Sequence, residues 1–236
     1  MDANTYWQDI DTSLETLINT GSVKLPSLEG FNLDKVNQGI LDDMDDNTFL
    51  ELGKSHNSFL DILSINEFLT PKLFEIAKKY FNFQGDILDQ YHIARRVEPG
   101  NSKEMYRAHF DSHLFTMVLP IQIPLPGSSS GSAGDLIYYP NARKTPANEI
   151  SNILGKAYHK RFASKEGLEK FSLNHEGKTD NFNDYRPLLF IGNTTLHTNK
   201  PVTPCCSSSR LTLLAHFFDS SSKYGVGSFL RLVRNR

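Results

Sequence analysis

Met105-Tyr106-Arg107-Ala108-His109-Phe110-Asp111-Ser112-His113-Leu114-Phe115-Thr116-Met117-Val118-Leu119-Pro120-Ile121 is the stretch on which the reading of this chain turns. Its apolar and β-branched residues predict extended backbone on both sides of His109-Phe110-Asp111. Residues two apart on a strand point to the same side, so His109 and Asp111 are expected to share a face. Taken alone, His-x-Asp is common by chance and describes an ordinary hydrogen-bonded polar pair.

Two later segments change that balance. Phe190-Ile191-Gly192-Asn193-Thr194-Thr195-Leu196-His197-Thr198-Asn199-Lys200-Pro201-Val202 puts His197 at the end of an apolar run and just before a turn. Arg210-Leu211-Thr212-Leu213-Leu214-Ala215-His216-Phe217-Phe218 opens an apolar strand with a guanidinium. A buried charge without a partner is costly. A bound dicarboxylate would satisfy it, because guanidinium grips carboxylate through two parallel hydrogen bonds. Two imidazoles and one carboxylate can occupy one face of an iron ion, leaving three positions open.

These segments together resemble the iron(II)- and 2-oxoglutarate-dependent oxygenases, which carry His-x-Asp/Glu, a distal His, and then an Arg or Lys. Here Arg210 follows His197 by 13 residues. Gly134-Asp135-Leu136-Ile137-Tyr138-Tyr139 resembles the family's Gly-x-Leu-x-Phe strand, and Gly21-Ser22-Val23-Lys24-Leu25-Pro26 resembles the opening strand of many members. The resemblance runs in order through most of residues 85–220, carried by four short stretches.

The resemblance, and not periodicity, implies a mainly β fold with α: a double-stranded β-helix (jelly roll) core buttressed by N-terminal helices. It implies iron(II) held by His109, Asp111 and His197. It implies 2-oxoglutarate as cosubstrate, its far carboxylate reaching Arg210. Arg210-Leu211-Thr212 resembles the Arg-x-Ser element of some members, so Thr212 is a second cosubstrate contact and Thr116 a third. Dioxygen is the remaining cosubstrate. Related halogenases have a small residue in place of the carboxylate. With Asp111 present, hydroxylation is favoured, and desaturation or ring formation stays open. The segment from Tyr91 to Asp111, with the Arg210 strand, loosely resembles the branch that acts on free amino acids.

The bulk numbers fit a soluble globular protein. With 236 residues the chain is long enough for a single domain with a sizeable core. Apolar content of 39% and charged content of 22% are ordinary. A formal net charge of −2 gives no electrostatic reason to expect a nucleic-acid partner. No apolar stretch approaches the ~18 residues needed to span a bilayer. Cys205 and Cys206 are adjacent, which disfavours a bridge between them, and they lack metal-ligand spacing. With no secretory pattern over residues 1–20, a cytoplasmic location is expected. The oligomeric state is not legible.

One domain over residues 1–236 is expected, divided into a helical buttress (1–84), a core (85–139 and 188–220) and an insertion (140–187). Trp7, Ile10, Leu14, Leu17 and Ile18 recur at helical spacing over 5–20, before Gly21. Further helices are predicted over 34–44, with Val36, Ile40 and Leu41 inward, and over 71–81, with Thr70 as cap and Leu73, Phe74, Ile76, Ala77 and Tyr80 inward. Ile87–Val97 reads as a strand that turns at Glu98-Pro99-Gly100-Asn101 into a hairpin with the His109 strand. Residues 124–134 read as a flexible loop. The polar insertion, partly helical over about 145–163, is either a surface elaboration or a lid over the site.

For a substrate, Arg107 shares phase with His109 and Asp111, and one of Arg95 and Arg96 faces inward. Arg95, Arg107, Asn193 and Asn199 are the candidate substrate residues, with Tyr91 beside them. They suit a small polar molecule, a free amino acid among them. His113 is a candidate neighbour of the metal ligands. The competing readings are a hydroxylase of a peptidyl residue, a metal-binding cupin-like binding or sensing protein, and a β-sandwich whose polar residues are incidental.

Overall fold

Alternation along two long strands divides the molecule into layers. The computed structural model describes residues 1–52, 63–101, 105–127, 131–146, 154–155 and 157–220. Strands β4 (His113–Gln122) and β9 (Arg210–Asp219) are ten residues each and pair antiparallel. On β9, Leu211, Leu213, Ala215 and Phe217 turn to one side, and Phe115, Met117, Leu119 and Ile121 of β4 join them there. Arg210, Thr212, Leu214 and His216, with Thr116 and Val118, turn to the other side and line a cavity. The period of two thus separates core from site on the same strands.

The apolar side is covered by helices. These are α1 (Ala3–Tyr6), α2 (Ile10–Thr20), α3 (Leu33–Met44), α4 (Ile65–Phe68) and α5 (Thr70–Phe81). Each longer helix buries a stripe at helical spacing: Ile10, Leu14 and Leu17; Val36, Ile40 and Met44; Leu73 and Ala77. Leu17, Phe115 and Phe217 are fully buried, each worth about 1.5–3 kcal/mol of apolar transfer. The expected single helix over 5–20 is two helices, because the chain leaves helical backbone between α1 and α2. Trp7 sits at that break, buried, its indole N–H donating to the Leu63 carbonyl at 2.6 Å. Thr70 is the first residue of α5 and not its cap, and Tyr80 is exposed where an inward position was expected.

The larger sheet has the order β1-β7-β4-β9-β3-β2, with β1 (Ser22–Lys24), β2 (Phe49–Glu51), β3 (Gln90–Val97) and β7 (Leu188–Ile191). A smaller sheet has the order β6-β5-β8, with β5 (Leu136–Tyr139), β6 (Lys178–Asp180) and β8 (Leu196–Asn199). Every strand pair is antiparallel. A second apolar cluster, including Val118, Leu136, Tyr138, Phe182 and Phe190, joins residues of the two sheets.

Two expectations about topology are corrected. β3 and β4 do not form a hairpin: β9 lies between them and pairs with both. Residues 105–112 are not strand either. Tyr106 takes a left-handed backbone (φ 53°), and His109 makes only an isolated bridge with His197. The segment first pairs with β8, His109 and His197 exchanging backbone hydrogen bonds at 3.1 Å. It then crosses, the Asp111 N–H donating to the Gly192 carbonyl at 3.1 Å, before β4 begins.

The segment 140–187 is built into this frame. β6 adds a strand to the smaller sheet, Phe182 is fully buried, and helix α6 (Lys165–Ser172) buries Leu168 and Phe171. Lys24 of β1 pairs with Asp180 at 2.7 Å and with Asp184 at 3.0 Å. Of the helix expected over about 145–163, residues 147–153 and 156 lie outside the described residues, as do 128–130 of the loop expected over 124–134. Cys205 and Cys206 are unbridged.

Candidate metal centre

His109, Asp111 and His197 meet where the chain crosses from the smaller sheet to the larger. Their ligating atoms all lie within 4.8 Å of one another. His109 Nε2 is 3.5 Å from Asp111 Oδ1, and His197 Nε2 is 3.7 Å from Asp111 Oδ2. Asp111 and His197 are buried, while His109 opens onto the cavity.

The hydrogen bonds behind the imidazoles decide what they present. His109 Nδ1 donates to the Arg107 carbonyl at 2.8 Å, and His197 Nδ1 donates to the Thr195 carbonyl at 3.2 Å. A carbonyl only accepts, so in the neutral ring the proton is on Nδ1 and the Nε2 lone pair faces Asp111. Two nitrogen lone pairs and a carboxylate therefore converge on one point, which is the donor set a divalent cation satisfies.

The electrostatics set the two imidazoles apart. Burial holds His197 down to about 4, so it is neutral near pH 7. Burial would raise Asp111, but His197, His109 and His216 beside it together hold its carboxyl well below the usual range. For His109 burial is outweighed by Asp111 beside it and its pKa is raised, so without a cation a proton on Nε2 competes for the position a metal would take.

Thr116 orients the carboxylate. Its hydroxyl donates to Asp111 Oδ2 at 2.6 Å and meets His216 Nδ1 at 3.0 Å. With Asp111 ionised, the proton order is fixed: His216 Nδ1–H to Thr116, then Thr116 O–H to Asp111. Gly192 makes room for this contact. A Cβ there would stand 2.8 Å from Thr116 Oγ1, 2.9 Å from the His113 carbonyl and 3.1 Å from Asp111 Cβ.

The cavity beside the triad has a volume of about 700 Å³. Arg210 lies buried in its wall and donates through Nη1 to the Gly134 carbonyl and, at 3.2 Å, to Asn199 Oδ1. Gly134 has φ +81°, and a Cβ there would crowd Arg210 Cδ at 3.1 Å. Burial and then the charge of Arg95 lower Arg210 to about 10, so it stays charged near neutral pH. Among the described residues no carboxylate stands within ion-pair distance of it.

The remaining sequence candidates fall into two groups. Arg95, Arg107, Asn199 and Thr212 line the cavity. Asn193 does not: it sits in the turn after β7, buried, its carbonyl accepting from Arg143 Nε at 2.7 Å. Thr116 lines the cavity, but its hydroxyl is engaged by Asp111 and His216 and not held free for a cosubstrate. Arg96 pairs with Glu98 at 2.9 Å. Tyr91 stacks on His113 and His216, with ring centroids 6.2 Å apart in both cases. His216 and Lys160 also line the cavity, and neither was a site candidate in the sequence. His216 had a signal in its phase, since Arg210, Thr212, Leu214 and His216 are successive alternate positions.

No protein-family model and no curated protein sequence matches the chain. Solved structures do. A prolyl 4-hydroxylase from Phytophthora capsici superposes with TM-score 0.57 at 14% identity, over 93% of this chain and 66% of that one. A prolyl hydroxylase from Trichoplax adhaerens, solved with a hypoxia inducible factor peptide fragment, gives 0.54 at 12% identity, over 94% and 95%. A non-heme α-ketoglutarate-dependent carbocyclase from nogalamycin biosynthesis gives 0.51 at 10% identity, over 89% and 83%. The chain shares the fold of these enzymes. No helix among the described residues is long and apolar enough to cross a membrane.

Proposed function

We propose that this protein is an iron(II)- and 2-oxoglutarate-dependent dioxygenase that hydroxylates an unactivated C–H bond of a small polar molecule. The observation that carries the reading is one cavity with two kinds of seat in its lining: three converging metal donors, and a buried, charged Arg210. The fold likeness supports it, and we read the two sheets as the faces of a jelly roll, with 1–84 as buttress and 140–187 as an insertion over the site.

His109, Asp111 and His197 would hold the iron, whose chemistry with 2-oxoglutarate and dioxygen is the insertion of one oxygen atom into a C–H bond, with succinate and carbon dioxide released. The protein's own part is positional. Thr116 fixes the Asp111 carboxylate, and the Arg107 and Thr195 carbonyls fix the two imidazoles in the ligating tautomer. Arg210 would take the far carboxylate of 2-oxoglutarate, with Thr212 beside it. Val118, Leu136 and Leu214 make the adjoining wall apolar, which strengthens these charge contacts.

A free amino acid is one substrate of the proposed size, and a peptidyl residue is the alternative that the prolyl hydroxylase likeness favours. The deciding experiment is anaerobic titration of the apoprotein with iron(II) and 2-oxoglutarate, followed by the visible charge-transfer absorption of the chelate. Absorption is expected in the parent protein and is lost in His197→Ala. In Arg210→Met the 2-oxoglutarate affinity is expected to fall by about ten- to a hundredfold, the scale of a charge-assisted hydrogen bond. Metal binding without any 2-oxoglutarate binding would make the protein a cupin-like binder or sensor.

A further inference from the structure

Four cationic side chains reach the cavity from four separate segments. Arg210 comes from β9, Arg95 from β3, Arg107 from the segment before His109, and Lys160 from a short 3-10 turn (Lys160–Phe162). Among the described lining residues, Asp111 is the single carboxylate. On the function proposed above, the two charges of the metal and that of Arg210 are balanced by Asp111 and the two carboxylates of 2-oxoglutarate. Arg95, Arg107 and Lys160 fall outside that set.

Their placement is informative. Arg95 and Arg210 line the same cavity, close enough for the charge of Arg95 to disfavour a proton on Arg210. Like charges around one cavity are costly, and an anion between them removes the cost. Arg95 and Arg107 hold contacts of their own, but the five N–H donors of a guanidinium serve several acceptors at once. Arg107 and Lys160 are exposed, where positive charge draws an anion inward. Phe49, Ile93 and Leu214 give the same cavity an apolar surface. Among the described lining residues, an ammonium group would meet no carboxylate except Asp111.

We propose that the substrate is a small organic acid: an apolar body bearing carboxylate or phosphate, with negative charge unbalanced by a free ammonium. This rests on the dioxygenase reading and names the substrate class of that same site.

The test is calorimetric binding to protein loaded with manganese(II), a redox-silent substitute for iron, and saturated with 2-oxoglutarate. Three probes share one side chain: N-acetyl-leucine is an anion, leucine a zwitterion, N-acetyl-leucinamide neutral. Hexanoate and hexyl phosphate distinguish carboxylate from phosphate. At least one anion is expected to bind about tenfold or more tightly than leucine and the amide, with a preference that shrinks as salt is raised. Lys160→Gln and Arg107→Gln alter exposed side chains, so the fold stands. Each is expected to weaken anion binding severalfold, with 2-oxoglutarate binding unchanged in Lys160→Gln. Leucine or the amide binding as tightly as the anions, no anion binding at millimolar concentration, or anion binding indifferent to both variants would each overturn the proposal. Failure of 2-oxoglutarate to bind the manganese form appears before any probe is added, and it sinks the dioxygenase reading instead.

Discussion

Thr116 has one hydroxyl proton, and its neighbours fix where that proton goes. Asp111 takes it at 2.6 Å, and His216 donates from behind at 3.0 Å. Partners of this kind typically change metal affinity ten- to a hundredfold when removed. Thr116→Val, equal in volume but without the hydroxyl, is expected to weaken manganese(II) binding by about that factor, and Thr116→Ser to restore most of it. Titration of the metal with each variant decides this, and equal affinities for all three proteins would make the contact incidental. The sequence placed Thr116 inward by its phase, but phase does not say which partner an inward hydroxyl chooses. Asn193 shows the opposite difficulty. As an amide near a His it looked like a cavity residue, yet the turn after β7 aims its backbone at Arg143.

At the scale of elements, the site depends on two non-strand pieces, residues 105–112 and the turn at 192–194. Gly192 lets them meet. In Gly192→Ala the new methyl would press on Thr116 Oγ1 and on the His113 carbonyl. A loss of about 1–3 kcal/mol of stability is expected, the usual scale of overpacking, together with weakened metal binding because Asp111 must shift. Denaturant unfolding and metal titration read the two effects separately. The helices were legible because their apolar stripes follow from local spacing, and β4 and β9 were legible from alternation. Their partners were not. The hairpin expected between β3 and β4 has β9 inserted in it, and a pairing between segments so far apart in the chain leaves no mark on local pattern. His109 and Asp111 reach one point as a strand reading predicted, although an isolated bridge and a crossing segment bring them there.

Across the whole molecule, the candidate ligands tie the sheets together: His197 belongs to β8 of the smaller sheet, and Asp111 leads into β4 of the larger. Metal bound to the folded form alone should therefore stabilise the entire domain. Manganese(II) at a hundred times its dissociation constant contributes about 2.7 kcal/mol, which is roughly 5–10 °C in Tm for a chain of this size. Asp111→Ala is expected to show no such rise. Acid acts the other way. Burial and the charge of His216 hold His92 at about 4 in the folded protein, below its ordinary 6.5. The unfolded chain then binds the proton more tightly, so stability is full above about pH 6.5 and falls as the pH drops towards 4, by up to about 3 kcal/mol. His197 and His216 are lowered in the same sense. His92→Phe should flatten its share of this slope, measured by urea unfolding at pH 7 and pH 5 in chelator. A last consequence comes from the alternation along β9. From Arg210 to Phe217, even-numbered positions line the cavity, and odd-numbered ones carry the packing against the helices. The segment thus behaves like two interleaved texts in one reading frame. Descendants can edit either text letter by letter, trading one substrate for another while the helical layer is inherited intact. A single inserted or deleted residue exchanges the two texts and ruins both, so lineages of this protein should accumulate substitutions along β9 and almost never a change in its length.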